Sequence, residues 1–495
     1  MASSQCCFMR FLALVFLVFA PWQLSAISIA EVRKSLVRVS VTEQEPNYRV
    51  PWMPGNVNSG TGAGFVIEGN RIVTNAHVVS NARFISIDRE NDPKRYIAKV
   101  LHVAHDCDVA VLTVTDPAFF NDTVALPFTD EIPQIESSVS VYGYPIGGNR
   151  LSVTTGVVSR VDFQTYSHSA ADAHLSIQTN AAINPGNSGG PVVQDGKVVG
   201  VAFQGYGGSV AQNVGYMIPV SVVKRFLKDI EDGHYDHYMD LAITTFPLVN
   251  PAQRRALGLP DDGRGVLISS VAKKGDSDGL LLPGDVLLGI DGHDVESDGF
   301  IMLDNERVQM PEIVERKFKG DSVVLKVLRD KKEQEVTVSF RQAWPYQIQA
   351  NQYDISPRYV LFGGLLFQPL SRDFLQASSI DDLRLRFFYN FYLTDALYLE
   401  RPEVIVLSGV LPDPINTYLT DFRGAIVDEV NGVKIRTLTD LANAFEKPAD
   451  DYVIKTVGLG RPIVLERSAV DEARERIRQR YQVRLESNLS DKPQF

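Results

Sequence analysis

Short runs in which apolar and polar positions alternate fill residues 31–230, and Gly, Asn and Pro residues interrupt them. Alternation with a period of two is typical of strands that bury one face, so the pattern predicts an all-β pair of barrels. Residues 221–232 are the exception, because Val222, Phe226 and Ile230 recur there at helical spacing. We therefore predict a helix that closes this region, followed by a linker at residues 233–239.

A second β-rich region is predicted at residues 240–342. It contains a Pro-Gly-Asp turn at 283–285, and the strand after this turn ends at an Asp-Gly pair. Alternating strands at 323–328 and 335–340 then predict a hairpin.

The last region, residues 358–495, repeats this layout faintly. Strands are predicted at 404–410 and within 424–432, and residues 438–445 have helical spacing. Residues 470–481 form a charged run that predicts a solvated surface helix.

The octapeptide NPGNSGGP at residues 184–191 carries the strongest chemical signal. A serine hydroxyl becomes a nucleophile where a base lies within hydrogen-bond reach and amide N–H groups face the oxygen that becomes negative. Gly186, Gly189 and Gly190 allow the sharp turn that such a site needs around Ser188. An exposed glycine-rich turn has the same local pattern, so partners elsewhere in the chain decide between the two interpretations.

Two candidate partners occur upstream. His77 follows a strand-like run, and Asp108 immediately precedes an apolar strand. The chain order of His77, Asp108 and Ser188 is that of the chymotrypsin-type triad. Each signal alone fits an ordinary surface residue, but the three together, each in a strand–loop setting, predict a nucleophilic site.

Together with the segments at 60–67, 142–147, 155–159 and 178–183, these motifs resemble the HtrA/Deg family of serine proteases. The resemblance spans nearly all of the chain after residue 26, and the long C-terminal half is most similar to the plant-type Deg subfamily. It implies a mainly β fold, in which a chymotrypsin-like double β-barrel precedes a PDZ domain and a second, divergent PDZ-like domain. The implied boundaries are 27–233 for the protease domain, 240–342 for the PDZ domain, and 358–495 for the PDZ-like domain with its C-terminal helix.

The resemblance also implies a role for each candidate. His77 takes the proton of Ser188 during attack on a peptide carbonyl, and Asp108 holds the imidazole tautomer. Asp106 competes for the role of the acid, but Asp108 directly precedes the apolar strand, as the family pattern requires. The residues expected at the oxyanion hole are Gly186, Asn187 and Ser188.

By the same resemblance, Ala182 lies at the base of the S1 pocket, six residues before the serine. No carboxylate is available there, so cleavage after Arg or Lys is disfavoured. Ile183, with a wall drawn from residues 201–206, favours a small or medium apolar P1 residue such as Val, Ala or Ile. The residues expected to bind substrate are Ala182, Ile183, Phe203 and Gln204.

The resemblance assigns the peptide carboxylate loop of the PDZ domain to Asp240, Leu241, Ala242 and Ile243. PDZ domains add a peptide as a strand to a sheet edge, and loop amides hold its C-terminal carboxylate. The family usually has Gly where this chain has Ala242, which puts strong binding of C-terminal peptides in doubt.

Residues 1–26 read as a secretory signal, with Arg10 before a short apolar run and a small-residue cleavage site at 24–26. An uncleaved membrane anchor is the alternative. We expect an exported protein, periplasmic by preference, with secretion or an organelle lumen as alternatives. Without this segment Cys107 is the only cysteine, so the remaining chain forms no internal disulfide.

The composition limits the classes of partner that we expect this protein to bind. The chain has 49 Lys and Arg against 60 Asp and Glu, a net charge of −11, which argues against nucleic acid or anionic membranes. No cofactor or metal is expected, because His234 and His237 lack a third ligand at suitable spacing. The expected partners are unfolded proteins or peptides, C-terminal peptides at the PDZ domain, and copies of the same chain in trimers or their multiples, with no membrane span after signal removal.

We therefore expect a serine endopeptidase that degrades unfolded or damaged exported proteins. The alternative is a chaperone or scaffold that binds peptides while its protease site is resting or inactive. Loops at residues 162–175 and 203–213 are expected to switch the site between the two arrangements.

Overall fold

The computed structural model describes residues 28–145, 150–205, 214–303, 306–343 and 348–491. The segment expected to be a secretory signal and the last part of the predicted S1 wall, Tyr206, lie outside these residues. The described chain is mainly β, and its strands form two closed barrels followed by two units of open sheets. This agrees with the fold class expected from the sequence.

The first barrel buries the alternating apolar positions of the N-terminal region. Its strands are β1 (Leu36–Gln44), β2 (Val57–Ile67), β3 (Arg71–Thr74), β4 (Ala82–Arg89), β5 (Arg95–Ala104) and β6 (Val109–Val114). They close in the order β1-β2-β3-β6-β5-β4. Two short helices, α1 (Ile29–Ser35) and α2 (Ala76–Val79), lie before β1 and after β3. Val39, Ile72 and Leu112 are fully buried inside the barrel.

The second barrel repeats this architecture after a 3-10 turn at Pro117–Asp122. Its strands are β7 (Ser138–Gly143), β8 (Ser152–Thr165), β9 (Ala173–Thr179), β10 (Pro191–Gln194), β11 (Lys197–Gly205) and β12 (Gly215–Pro219). They close in the order β10-β11-β12-β9-β8-β7. The predicted closing helix is observed as α3 (Val220–Asp229), which a 3-10 turn at Ile230–Asp232 extends.

The third unit is an antiparallel sheet in the order β13-β14-β15-β19-β20, in which β16 pairs with β15, while β17 and β18 pair with each other. Its strands are β13 (Ile243–Pro247), β14 (Val266–Val271), β15 (Val286–Ile290), β16 (His293–Asp294), β17 (Phe300–Leu303), β18 (Glu306–Gln309), β19 (Ser322–Arg329) and β20 (Lys332–Ser339), and its helices are α4 (Pro251–Leu257) and α5 (Pro311–Glu315). The predicted hairpin is present. Asp330 and Lys331 link β19 to β20 with φ of 50° and 62°, the left-handed backbone that a two-residue hairpin turn favours.

The fourth unit has two sheets, in the orders β23-β22-β21-β28 and β25-β24-β26-β27. Its strands are β21 (Tyr359–Phe362), β22 (Leu365–Pro369), β23 (Ile405–Val410), β24 (Val427–Val430), β25 (Val433–Lys434), β26 (Asp451–Thr456), β27 (Ile463–Glu466) and β28 (Ser487–Asn488). Its helices are α6 (Arg372–Ala377), α7 (Leu383–Asn390), α8 (Leu438–Glu446) and α9 (Arg467–Arg480), with 3-10 turns at Leu397–Leu399, Pro414–Asn416 and Thr420–Phe422.

Helix α9 corrects one expectation. The sequence predicts a solvated surface helix at 470–481, but Val470, Ala473 and Ile477 are buried along one face. These positions follow helical spacing, so α9 packs one apolar face against the unit and exposes its charged face.

A buried polar junction joins the second barrel to the third unit. His174 of β9 pairs with Glu315 at the end of α5, with 3.0 Å between Nδ1 and Oε2. Burial acts to lower the pKa of His174, but the charge and hydrogen bond of Glu315 outweigh it and raise that pKa to about 9. Arg225 of α3 donates to the carbonyl oxygens of Glu315 and Lys317, both at 3.1 Å. An ion pair and two charged hydrogen bonds therefore connect the second barrel and α3 to the end of α5 and the residues that follow it.

Glu315→Gln is expected to lower the free energy of unfolding by about 3 kcal/mol near neutral pH, because it leaves buried His174 without a counter-charge. The folded-state pKa of His174 lies above its unfolded value. The contribution of the His174–Glu315 pair to the free energy of unfolding is therefore complete below the ordinary histidine pKa, and it is lost as the pH rises through about 9. Urea unfolding on either side of that pH measures the difference. The exposed pair of Glu333 with Lys326 supplies the control, and Glu333→Gln should leave stability unchanged. Equal losses in both variants would contradict this account.

Candidate active site

The two barrels contribute different parts of the site. His77 lies on α2, directly after β3, and Asp108 lies directly before β6. Strands β3 and β6 are antiparallel neighbours, with Thr74 opposite Ala110, so the end of one meets the start of the other. The register of this strand pair therefore brings the predicted histidine and acid together from 31 residues apart.

Asp108 holds His77 by two contacts. Its Oδ2 lies 2.6 Å from His77 Nδ1, and its Oδ1 accepts the backbone N–H of His77, also at 2.6 Å. Asn75 donates to the backbone carbonyl of Asp108 at 3.0 Å. A carboxylate only accepts, so His77 carries its proton on Nδ1, which leaves the lone pair of Nε2 available as a base.

Electrostatics in this pair support a base that gains a proton readily. Burial acts to raise the pKa of Asp108, but the charge and hydrogen bonds of His77 outweigh it and hold that pKa below its usual value. Burial likewise acts to lower the pKa of His77, and the charge of Asp108 outweighs it and raises that pKa. The ionised carboxylate is therefore available to stabilise an imidazolium.

Asp106 has a different environment. Its carboxylate accepts from the hydroxyl of Tyr235 at 2.7 Å and lies 3.0 Å from Nδ1 of His237. Both partners belong to the predicted linker after α3, so Asp106 anchors that linker. The geometry favours Asp108 as the acid of the site.

The serine loop joins the second barrel to the first. The carbonyl oxygen of Ser188 accepts the N–H of Ala63 on β2 at 2.8 Å. A Cβ added at Gly189 would lie 2.2 Å from the carbonyl oxygen of Ala63, so only glycine allows this approach. The Ser188 hydroxyl donates to the carbonyl of Phe203 at 3.2 Å, and within the described residues no hydrogen bond joins it to His77. The Ser188 side chain must rotate to bring its hydroxyl to the base, and catalytic hydrogen bonds in general often align only when substrate is bound.

Two amides remain open for an oxyanion. Within the described part of the chain, no acceptor takes the N–H of Gly186 or of Ser188. Gly186 has φ of 100°, and a Cβ there would lie 2.1 Å from the carbonyl oxygen of Tyr144. The inclusion of Asn187 is corrected, because its N–H donates to the carbonyl of Asn184 at 2.9 Å and its side chain is buried. Of the three residues expected at the oxyanion hole, Gly186 and Ser188 therefore keep open N–H groups in the described chain.

Of the residues predicted to bind substrate, some lie at the surface and others have buried side chains. Ala182 is exposed, and a Cβ added at Gly215 would lie 2.9 Å from Cγ1 of Ile183, so Ile183 packs over Gly215 beside the cleft. The expectation for the side chain of Phe203 is wrong, because it is buried against Tyr166 with 4.6 Å between ring centroids.

Other parts of the predicted wall also differ from the expectation. Val201 is fully buried in the core rather than lining the cleft. Gln204 accepts from the hydroxyl of Ser167 at 2.5 Å and so contacts the loop predicted to switch the site.

The predicted carboxylate loop lies at the start of the third unit. Ala242 has φ of 52°, a backbone conformation that glycine adopts without steric cost. Its N–H donates to Oδ1 of Asp240 at 2.8 Å, and its carbonyl accepts from Ala272 at 2.8 Å. Leu241 is buried and Ile243 begins β13. The amide of Ala242 is thus already bound within the loop and is not open to a peptide carboxylate.

The sequence did not identify a group of aromatic residues beside His77. The ring of His168 lies 6.2 Å from that of His77 and stacks on Tyr353 with 4.0 Å between centroids. His105 bonds to His168 at 2.9 Å. His168 belongs to the loop predicted to switch the site, but Tyr353 follows it by 185 residues, and no local pattern predicts that contact.

Neither a metal centre nor a membrane helix is evident in the described ranges. No cluster of three or more His, Cys, Asp or Glu side chains there could hold a metal ion. No helix within the described ranges combines the length and apolar character needed to cross a bilayer.

Comparison with known proteins agrees with this architecture. The trypsin-like peptidase domain family matches residues 62–201, and the PDZ domain family matches residues 348–491, a range that overlaps the expected divergent PDZ-like domain and begins before residue 358. The solved structure of the HtrA-type protease AlgW with a tripeptide shares the fold, with a TM-score of 0.51 and 24% identity, and covers 64% of this chain and 96% of that chain.

Sequence relatives extend over most of the molecule. Protease Do-like 2, chloroplastic, of Arabidopsis thaliana is 35% identical over 90% of this chain and 73% of the relative. Putative protease Do-like 13 of the same plant is 33% identical over 93% of this chain and 90% of the relative. A serine protease DegP homolog of Plasmodium falciparum (isolate 3D7) is 31% identical over 83% of this chain and 58% of the relative. The chain belongs to the HtrA/Deg family of serine proteases.

Proposed function

We propose that this chain is an endopeptidase that cleaves unfolded protein segments after small or medium apolar residues through an acyl-enzyme intermediate. The observation that carries the proposal is the contact of the buried Asp108 carboxylate with the partly exposed ring of His77, near a loop that holds Ser188 and two open amides. A base, a nucleophile and an oxyanion site thus occur together in the cleft between the barrels.

The reaction follows from these positions. Nε2 of His77 takes the proton of Ser188 as the hydroxyl oxygen attacks the peptide carbonyl, and then delivers it to the leaving amine. The N–H groups of Gly186 and Ser188 donate to the oxygen that becomes negative, and one such donor contributes about 3 kcal/mol. Water then hydrolyses the acyl-enzyme by the same proton transfers.

A resting site is the second candidate state, and a specific observation favours it. The hydroxyl of Ser188 is bonded to the carbonyl of Phe203 rather than to His77. In this state the protein binds unfolded segments as a chaperone or scaffold until the serine turns. We propose that the loop around Ser167 takes part in the switch, because Ser167 bonds Gln204, the residue next to Phe203.

The cellular setting is also a proposal. We infer an exported protein that removes unfolded or damaged chains. The chloroplastic and mitochondrial names of its plant relatives support an organelle lumen more than the periplasm. We further propose homo-oligomers, as trimers or their multiples, and weak binding of C-terminal peptides because the Ala242 amide is occupied.

Ser188→Ala is expected to lower the cleavage rate of an unfolded protein such as casein by about a millionfold, because the substitution removes the nucleophile and leaves only substrate binding. Ser379→Ala, at an exposed serine of the fourth unit, is the matched control and should match wild type. Wild type that cleaves no faster than Ser188→Ala, even after heating or addition of peptides, would favour the chaperone alternative.

Asp108→Asn is expected to reduce kcat by about ten-thousandfold. The raised pKa of His77 places the acid limb of wild-type kcat/KM above the ordinary histidine pKa, since the protonated ring is no base. Loss of the Asp108 charge moves this limb to lower pH. Asp106→Asn tests the competing acid, and this variant should have the kcat of wild type and the same acid limb of kcat/KM. A loss of kcat in Asp106→Asn, with wild-type kcat in Asp108→Asn, would assign the role of the acid to Asp106.

A peptide library should show cleavage by wild type after Val, Ala or Ile, because Ile183, which packs over Gly215, narrows the proposed S1 space and the predicted S1 residues bring no carboxylate. Ile183→Ala enlarges this space and is expected to shift preference toward Leu and Phe by about tenfold. Leu383→Ala, which truncates a leucine that is 82% exposed on α7, is the control. Cleavage mainly after Arg or Lys would refute the assignment of the pocket.

A further inference from the structure

The chain returns to the protease barrels after the third unit. Asn351 donates its N–H to the carbonyl of Ser169 and its Nδ2 to the carbonyl of His168, both at 2.9 Å. The hydroxyl of Tyr353 also donates to the carbonyl of His168, at 2.9 Å. We call residues 351–354 the return segment. Three of its donors bind one short stretch of the loop between β8 and β9.

Asp354 fixes the same segment to the first barrel. Its Oδ1 accepts the N–H of Asn81 at 2.5 Å, and its own N–H donates to Oδ1 of Asn81 at 2.8 Å. Its Oδ2 lies 2.9 Å from Nε2 of His105, on the loop that leads to Asp108. Asn81 and Asp354 both have left-handed backbone, with φ of 53° and 63°. Non-glycine residues keep this conformation where surrounding contacts hold them, and such positions cluster at functional sites.

A chain of hydrogen bonds orients His168. The Asp354 carboxylate only accepts, so His105 donates from Nε2, and its Nδ1 accepts the Nε2 proton of His168 at 2.9 Å. Burial lowers the pKa of His168 to about 3, so this ring is neutral. A neutral ring beside His77 does not oppose the positive charge that His77 gains during catalysis.

Packing completes the arrangement. The ring of Tyr353 stacks on His168 at an interplanar angle of 13°, and the ring of His168 lies 6.2 Å from that of His77. The His77 side chain is 32% exposed, whereas that of its partner Asp108 is fully buried. Asp108 therefore holds one edge of the imidazole, and the His168–Tyr353 stack lies beside the same ring.

We propose that the return segment is a positioning clamp for the catalytic histidine, in which Tyr353 and Asp354 hold His168 against His77. The inference rests on the proposed function of His77 as the base. Tyr353 and His168 are positioning residues, since they act through His77. The protease site is thus completed by a segment that lies beyond the third unit in the chain.

The test uses the full chain with Tyr353→Ala, Tyr353→Phe and the control Tyr418→Ala, which truncates a tyrosine that is 88% exposed on the fourth unit. Each protein is assayed for kcat and KM with an apolar-P1 peptide, for the rate at which a fluorophosphonate labels Ser188, and for thermal unfolding. Tyr353→Ala is expected to lower kcat and the labelling rate together by about tenfold or more, with KM changed little, because the base is misplaced. Tyr353→Phe retains the stack and should stay within about threefold of wild type.

Several outcomes overturn the clamp. A rise in KM alone would make Tyr353 a substrate contact, and a lower unfolding temperature with wild-type kcat would make it only structural. Tyr353→Ala equal to Tyr418→Ala in every assay would also refute it, while the proposed function stands. Wild type that neither cleaves peptide nor reacts with the fluorophosphonate would refute the proposed function, and the clamp with it.

Discussion

A fully buried carboxylate, Asp108, imposes the central constraint on this structure. An ionised group without partners in a protein interior costs several kcal/mol, so the fold must supply donors where the carboxylate lies. Both oxygens are bonded by one residue, His77, through its backbone N–H and its ring. That requires β3 and β6 to be neighbours and α2 to begin directly after β3. The stability of the first barrel and the orientation of the base therefore depend on the same contacts.

The second barrel adds its part through backbone contacts. The Ser188 carbonyl accepts from Ala63, and Thr74 donates to the carbonyl of Ala63 at 2.7 Å. Ala63 on β2 therefore links the serine loop to the strand that leads to His77. The candidate nucleophile and base come from different barrels, yet Ala63 on one strand of the first barrel bonds both Ser188 and Thr74, the last residue of the strand that precedes His77. Their separation is set by rigid sheet structure, while the Ser188 side chain remains free to rotate.

Much of this arrangement could be predicted from the sequence, because strand alternation and the order of His77, Asp108 and Ser188 are local or ordinal signals. Other features depend on geometry that the sequence does not encode locally. The role of Asn187 depends on which way one peptide unit points. Phe203 lies on β11, a strand that is buried on both faces and whose pairing shifts register at a bulge between Ala202 and Gln204. The alternation of apolar and polar residues therefore does not show which way each side chain of β11 points.

Several pairs of an acid and a histidine occur around the site, and these pairs differ in how far the histidine ring is exposed. Besides Asp108–His77, the pairs are Glu315–His174, Asp106–His237 and Asp354–His105. His174 is only 3% exposed in its side chain, and within the described residues its buried Nε2 has no hydrogen-bond partner, so its ring is much more enclosed than that of His77. His77 combines a buried acid on one edge with an exposed ring and a serine loop nearby. Exposure alone does not mark a candidate base, because His237 is 60% exposed and its acid Asp106 anchors the linker. What sets His77 apart is the combination of a fully buried acid, an exposed ring and a neighbouring serine loop, whereas the enclosed His174–Glu315 pair links the second barrel to the third unit.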